Sequence, residues 1–68
     1  MENRLTVIRA EKKLSQEGLA KLAGISRTTL SNIENQKVTP DMETVAKLVN
    51  ALGVPAGDIF LALRVMQA

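Results

Sequence analysis

Apolar residues recur along this chain at the three- and four-residue spacing of helices that bury one side, in short blocks divided by turn formers. Leu5 and Ile8 share one face of a first block over roughly residues 2–13, and Leu14 closes it. Ser15 is the predicted N-cap of a second helix over about 16–23, although Gly18 stands where a capping box would carry Glu. Gly24 reads as a left-handed stop, and Ile25-Ser26 supplies an apolar plug and the next cap. A third helix is predicted over about 27–35. Pro40 and Asp41 open a fourth, in which Met42, Val45, Leu48, Val49 and Leu52 repeat until Gly53. Pro55 starts a fifth, where Ile59, Phe60, Leu63 and Met66 continue the pattern. No strand-like alternation competes before the last ten residues. The expectation is one all-α, compact five-helix domain over residues 1–68, with residues 56–68 as helix five and tail.

The third helix is unlike the others. At 100° per residue, Leu30 and Ile33 point to one side, while Thr28, Ser31, Asn32 and Asn35 gather opposite them with Arg27 at the leading edge. Such a face can be merely solvated. Yet it lacks the Lys and Glu usual for solubility, and short hydrogen-bonding groups suit a groove. Glu34 falls beside the apolar side instead.

Composition then removes whole classes of chemistry. Cys and His are both zero, so there are no thiolate or imidazole metal ligands, disulfides, or thiol and imidazole nucleophiles. The only aromatic ring is Phe60, which excludes a stacking platform for single strands. The seven carboxylates form no acid-base pattern, so no enzyme, cofactor or metal site is expected, and nothing suggests a small-molecule ligand. No stretch approaches a membrane span and the first residues lead into charged sequence, so the expected location is cytoplasmic, on the nucleoid, with no membrane partner. The net charge is +2 but unevenly placed. Residues 1–37 hold seven basic and four acidic side chains, a net +3, and residues 38–68 hold two and three, a net −1.

The stretch Leu14-Ser15-Gln16 through Leu19-Ala20, Gly24-Ile25-Ser26, and Leu30-Ser31-Asn32-Ile33-Glu34 resembles the phage-repressor family of helix-turn-helix regulators, the Cro and repressor type also called the xenobiotic-response-element class. With Pro40 and Ala51-Leu52-Gly53-Val54, the resemblance covers about residues 4–61, with the motif at 16–35. Ala20 and Gly24 taken alone suit any helical hairpin. The resemblance implies a sequence-specific regulator of transcription bound to double-stranded DNA, with the second helix of the motif in the major groove. Arg27, Thr28, Ser31, Asn32 and Ser26 are then the base-reading candidates: Arg to guanine, Asn to adenine, Thr to a thymine methyl. Gln16, at a helix N-terminus, and Asn35, Lys37 and Thr39, after the recognition helix, are the phosphate candidates. Lys12, Lys13 and Lys21 read as solvated charges.

In that family an Arg of helix one pairs with a Glu of helix three, which assigns Arg9 and Glu34 to a structural ion pair. Two departures stand out. Gln36 replaces the usual Gly after Glu34-Asn35, so Asn35 or Gln36 must turn left-handed, and Gly18 weakens helix two.

The run Ile59-Phe60-Leu61-Ala62-Leu63, then Val65-Met66, exceeds what one face of a short helix buries. A single domain of this size also reads too few base pairs to be selective. The expectation is a homodimer on a pseudo-palindromic operator, acting as a repressor, with Phe60, Leu61, Leu63 and Val65 at the interface. Within the same class stand a restriction-modification controller and an autoregulatory antitoxin. A small helical protein-interaction module is the alternative from a different class.

Overall fold

Three side-chain caps set the helix starts in the computed structural model, which describes residues 1–64. Ser15 accepts from the Gly18 N–H at 2.9 Å and opens α2, Gln16–Ala23; Ser26 accepts from the Thr29 N–H at 3.0 Å and opens α3, Arg27–Glu34. Asp41 accepts from the Thr44 N–H at 2.8 Å and opens α4, Met42–Leu52. Each bond satisfies a backbone donor that the first helical turn leaves free. A Cβ at position 18 would lie 3.1 Å from the Ser15 hydroxyl, so the glycine there leaves the cap uncrowded.

Helix ends are equally regular. After α1, Leu5–Glu11, residue Lys13 turns left-handed at φ 57° and the Leu14 N–H returns to the Arg9 carbonyl at 2.9 Å. After α2, Gly24 at φ 73° lets Ile25 bond back to Ala20, and after α3, Gln36 at φ 60° lets Lys37 bond back to Asn32. All three are Schellman closures. Of the two candidates for the left-handed residue after α3, Gln36 takes the role, while Asn35 stays at φ −87°.

Leu5, Ile8, Leu19, Ala20, Ala23, Leu30, Ile33, Val45, Leu48, Leu52, Ile59, Phe60 and Leu63 form one buried cluster. Leu30 and Ile33, at 0% and 1% exposure, anchor α3, and each fully buried aliphatic of this kind contributes about 1.5–3 kcal/mol. Met42, expected on the apolar stripe of α4, is 63% exposed, because it stands at the first helical position beside the Asp41 cap.

The chain ends depart most from expectation. The first helix begins at Leu5 rather than near residue 2, because Asn3 pairs in an antiparallel bridge with Phe60 and the Arg4 N–H donates to the Ile59 carbonyl at 2.8 Å. The fifth helix is correspondingly short: α5 is Ala56–Ile59, Phe60 turns extended at φ −117°, ψ 106°, and a single 3-10 turn follows over Leu61–Leu63. Phe60 was expected at a dimer interface, but its ring is completely buried within its own chain and offers no surface to a partner. Leu63, at 9% exposure, is likewise spent on the internal core. Leu61 is half-buried, and Val65 and Met66 lie outside the described residues.

Candidate nucleic-acid interface

With Leu30 and Ile33 turned inward, the opposite side of α3 is left outside. Arg27 and Thr28 are exposed, and Ser31 and Asn32 are half-buried, so each keeps polar atoms in reach of solvent. These four, together with Gln16 from the start of α2, line one open cleft of about 210 Å³. Two adjacent pairs of α3 positions, one turn apart, and one position from the preceding helix thus converge on a single spot.

Ser26 is not part of that cleft. Its oxygen caps the Thr29 N–H, and its hydroxyl also bonds Thr29 Oγ1 at 2.8 Å, which engages it within its own helix. Asn35 lies one turn beyond Ser31 and donates from Nδ2 to the Ser31 hydroxyl at 3.3 Å. Lys37 and Thr39 are exposed on the segment after the left-handed Gln36. The backbone candidates therefore follow the C-terminal end of α3 in sequence, while Gln16 sits near its beginning.

Beneath the cleft lies a charged node. Arg9 Nε stands 2.7 Å from Glu34 Oε2 and donates from Nη2 to Oε1 at 3.1 Å, a two-pronged pair, and Nη1 bonds the Leu14 carbonyl at 3.0 Å. The Glu34 side chain is only 5% exposed. Gln16 Nε2 also donates to Glu34 Oε1, at 3.1 Å, and the Thr6 hydroxyl approaches it at 3.4 Å. Burial pushes the Glu34 carboxyl up, but the hydrogen bonds from Arg9, Gln16 and Thr6 and the Arg9 charge outweigh this and hold it below the ordinary glutamate range. The Arg9 guanidinium is raised by the same pairing. Gln16, expected to serve a phosphate, thus has its side-chain amide committed to Glu34, and only its position at the mouth of the cleft and the free N–H groups of the α2 start remain for a ligand.

Among the described residues no buried side-chain polar atom lacks a partner, no three metal-capable side chains cluster, and no helix is long and apolar enough to cross a membrane. The node is fully satisfied, and the unspent hydrogen-bonding capacity of the motif faces outward from α3.

The family profile described as helix-turn-helix matches residues 7–59, which includes all of α2 and α3. The chain belongs to the helix-turn-helix family of DNA-binding transcriptional regulators. This helix-turn-helix protein is 41% identical over 61 residues to an uncharacterized HTH-type transcriptional regulator of Methanocaldococcus jannaschii, covering 90% of this chain and 92% of that one. It is 38% identical over 56 residues to the immunity repressor protein of Bacillus phage phi105, covering 82% of this chain but 39% of the repressor. It is 37% identical over 57 residues to the HTH-type transcriptional regulator PuuR of Escherichia coli, again 84% of this chain against 31% of the relative. Among solved structures, a hypothetical transcription factor from Neisseria superposes with a TM-score of 0.72 at 30% identity, over 91% of this chain and 74% of that one. The helix-turn-helix family is one of regulators, not an enzyme class.

Asn3 and Thr6 were missed by sequence reasoning. Asn3 bonds the Ile33 carbonyl at 2.9 Å and Thr6 bonds Glu34, both across nearly thirty residues of sequence. No local pattern carries a contact of that range.

Proposed function

We propose that this chain is a sequence-specific double-stranded-DNA regulator that binds as a homodimer, lays α3 in the major groove of a pseudo-palindromic operator, and represses. The observation that carries this reading is the convergence of Arg27, Thr28, Ser31 and Asn32 on one exposed cleft of α3, with no acidic side chain among its lining residues. Arg27 fits a bidentate contact to guanine, Asn32 one to adenine, and Thr28 a thymine methyl, each good bidentate pair discriminating by roughly 1–3 kcal/mol. Ser31 adds a short polar contact, and Ser26 serves by capping the helix. Asn35, Lys37, Thr39 and the α2 start at Gln16 hold the sugar-phosphate backbone, which fixes register without reading sequence.

A dimer is supported by the small number of base pairs one such domain spans, and Leu61 and Val65 remain its candidate residues. Repression is supported by the named role of the phage relative and by the ability of a bare bound dimer to obstruct polymerase. The whole sequence serves as a single DNA-binding domain.

Selection from a pool of random duplexes tests the reading. The expected result is an enriched two-fold site with half-sites about 34–36 Å apart, bound with a steep salt dependence. Enrichment of an asymmetric site would refute the dimer, salt-dependent binding without enrichment would refute sequence specificity, and no binding at low salt would refute DNA recognition.

A further inference from the structure

Asn3 lies outside the helix-turn-helix, yet its side-chain amide is bonded at both ends. Oδ1 accepts from the Leu5 N–H at 3.1 Å; Nδ2 donates to the Ile33 carbonyl at 2.9 Å and more distantly to the Met1 carbonyl at 3.3 Å. The partners fix which way the amide points, because a backbone N–H must face the oxygen and a carbonyl must face the nitrogen. The backbone beneath it is held as well, by the bridge to Phe60 and the Arg4 bond to Ile59. Asn3 is therefore a short, anchored link from the α5 side of the molecule to the last turn of α3.

The carbonyl it grips has a special place. Ile33 O also accepts the Gln36 N–H at 3.0 Å, the inner bond of the closure that ends α3. That closure is formed by a residue with a side chain at φ 60°, a left-handed conformation that is strained outside glycine. The left-handed turns after α1 and α2 have no side-chain bond of this kind to the corresponding carbonyls, Ala10 and Lys21. Asn35 and Lys37 flank the strained residue directly.

We propose that Asn3 is a positioning residue for DNA binding: its amide holds the strained end of α3 and thereby sets where Asn35 and Lys37 meet the phosphate backbone. This rests on the reading of α3 as the DNA-contacting helix.

The test uses the full chain, amide hydrogen exchange, and binding to the duplex that the natural protein enriches from a random pool. Asn3→Asp keeps an acceptor for the Leu5 N–H but sets a carboxylate oxygen against the Ile33 carbonyl. Its Gln36 and Lys37 amides should exchange about five- to tenfold faster while those of Leu30 and Leu48 do not change. Asn3→Ala, which adds no charge, should weaken binding about fivefold and lower the salt slope by about one ion, with the preferred sequence unchanged. Gln36→Gly removes the strain, so Asn3→Ala in that background should cost little affinity. If Gln36 and Lys37 exchange is unchanged in Asn3→Asp, or rises only in step with the core amides, the clamp is refuted. If exchange rises but affinity and salt slope stay as in the natural chain, the role in DNA binding is refuted. Loss of affinity undiminished in the Gln36→Gly background also overturns it. A natural chain that binds no duplex refutes the reading of α3 itself, whereas a binding chain indifferent to Asn3→Ala refutes this proposal alone.

Discussion

Arg9 and Glu34 meet through two parallel hydrogen bonds, 2.7 and 3.1 Å long, with 16% and 5% of their side chains exposed. The pair joins α1 to the last residue of α3 and is completed by Gln16 and Thr6. A bidentate, partly buried pair of this kind matters less for what it adds than for what remains when half is removed.

Glu34→Ala should therefore destabilise by about 2–4 kcal/mol, because it leaves the Arg9 guanidinium partly buried without its partner. For a domain of this size each kcal/mol lowers Tm by about 4–8 °C. Asn32→Ala, half-exposed and outside the node, should leave Tm within about 2 °C, which is within the ±0.5 kcal/mol usual for surface substitutions. Replacing Arg9 and Glu34 together by Met and Leu should cost less than Glu34→Ala alone. Thermal unfolding by circular dichroism reads all three, and equal small effects would contradict the pairing.

Acid should release the same node. Glu34 is held below its ordinary value, and Asp41 is held low as well by its bonds to Thr44. A carboxylate with a lower pKa in the folded than in the unfolded chain contributes stability that is fully present above the unfolded value, about 4.3 for Glu, and is lost as pH falls through the folded value. Urea midpoints should thus be flat from neutral pH to about pH 5 and decline below it. Glu34→Gln should start lower and decline less.

The left-handed turns separate backbone cost from packing. A Cβ built on Gly24 meets nothing within 4 Å, so Gly24→Ala should destabilise by about 1–2 kcal/mol through φ alone. Lys13→Gly should stabilise by about 1 kcal/mol, since exposed Lys13 pays that strain at φ 57°. Chemical denaturation measures both, and a neutral Lys13→Gly would show that the strain is relieved locally.

The proposed DNA contacts predict two different signatures. Arg27→Ala and Asn32→Ala should each cost about 1–3 kcal/mol on the selected site and relax preference at one position. Lys37→Ala should weaken selected and random duplexes alike and reduce the salt slope by about one. Titrations at several salt concentrations distinguish the two, and identical profiles for Asn32→Ala and Lys37→Ala would contradict the assignment.

Local signals were the legible part of this fold. Ser15, Ser26 and Asp41 announce helix starts because a cap acts over three residues, and Gly24 and Gly53 announce stops because the left-handed turn is a single-residue property. The inward side of α3 and the placement of Glu34 beside the core follow from helical geometry. The fifth helix was misjudged because its apolar spacing is helical through Leu63, whereas the backbone at Phe60 is decided by pairing with Asn3, far away in sequence. The same range hid Asn3 and Thr6, and it turned the Gln16 amide toward Glu34. In the candidate site, Arg27, Thr28, Ser31 and Asn32 were readable from one helix face, and the Arg9–Glu34 pair beneath them followed from the family resemblance, while the bonds from Gln16, Thr6 and Asn3 that complete the support did not.

The pairing of Asn3 with Phe60 also has a kinetic consequence. It ties together positions 57 apart in a 68-residue chain, so forming it closes almost the largest loop the molecule has. The α2–α3 hairpin forms from near neighbours and needs no such closure, which favours its assembly first and the docking of the N-terminal segment last. By the same reasoning the first step of opening from the native state is release of that segment. The molecule then keeps α3 formed while freeing the side-chain bond from Asn3 that holds its last turn.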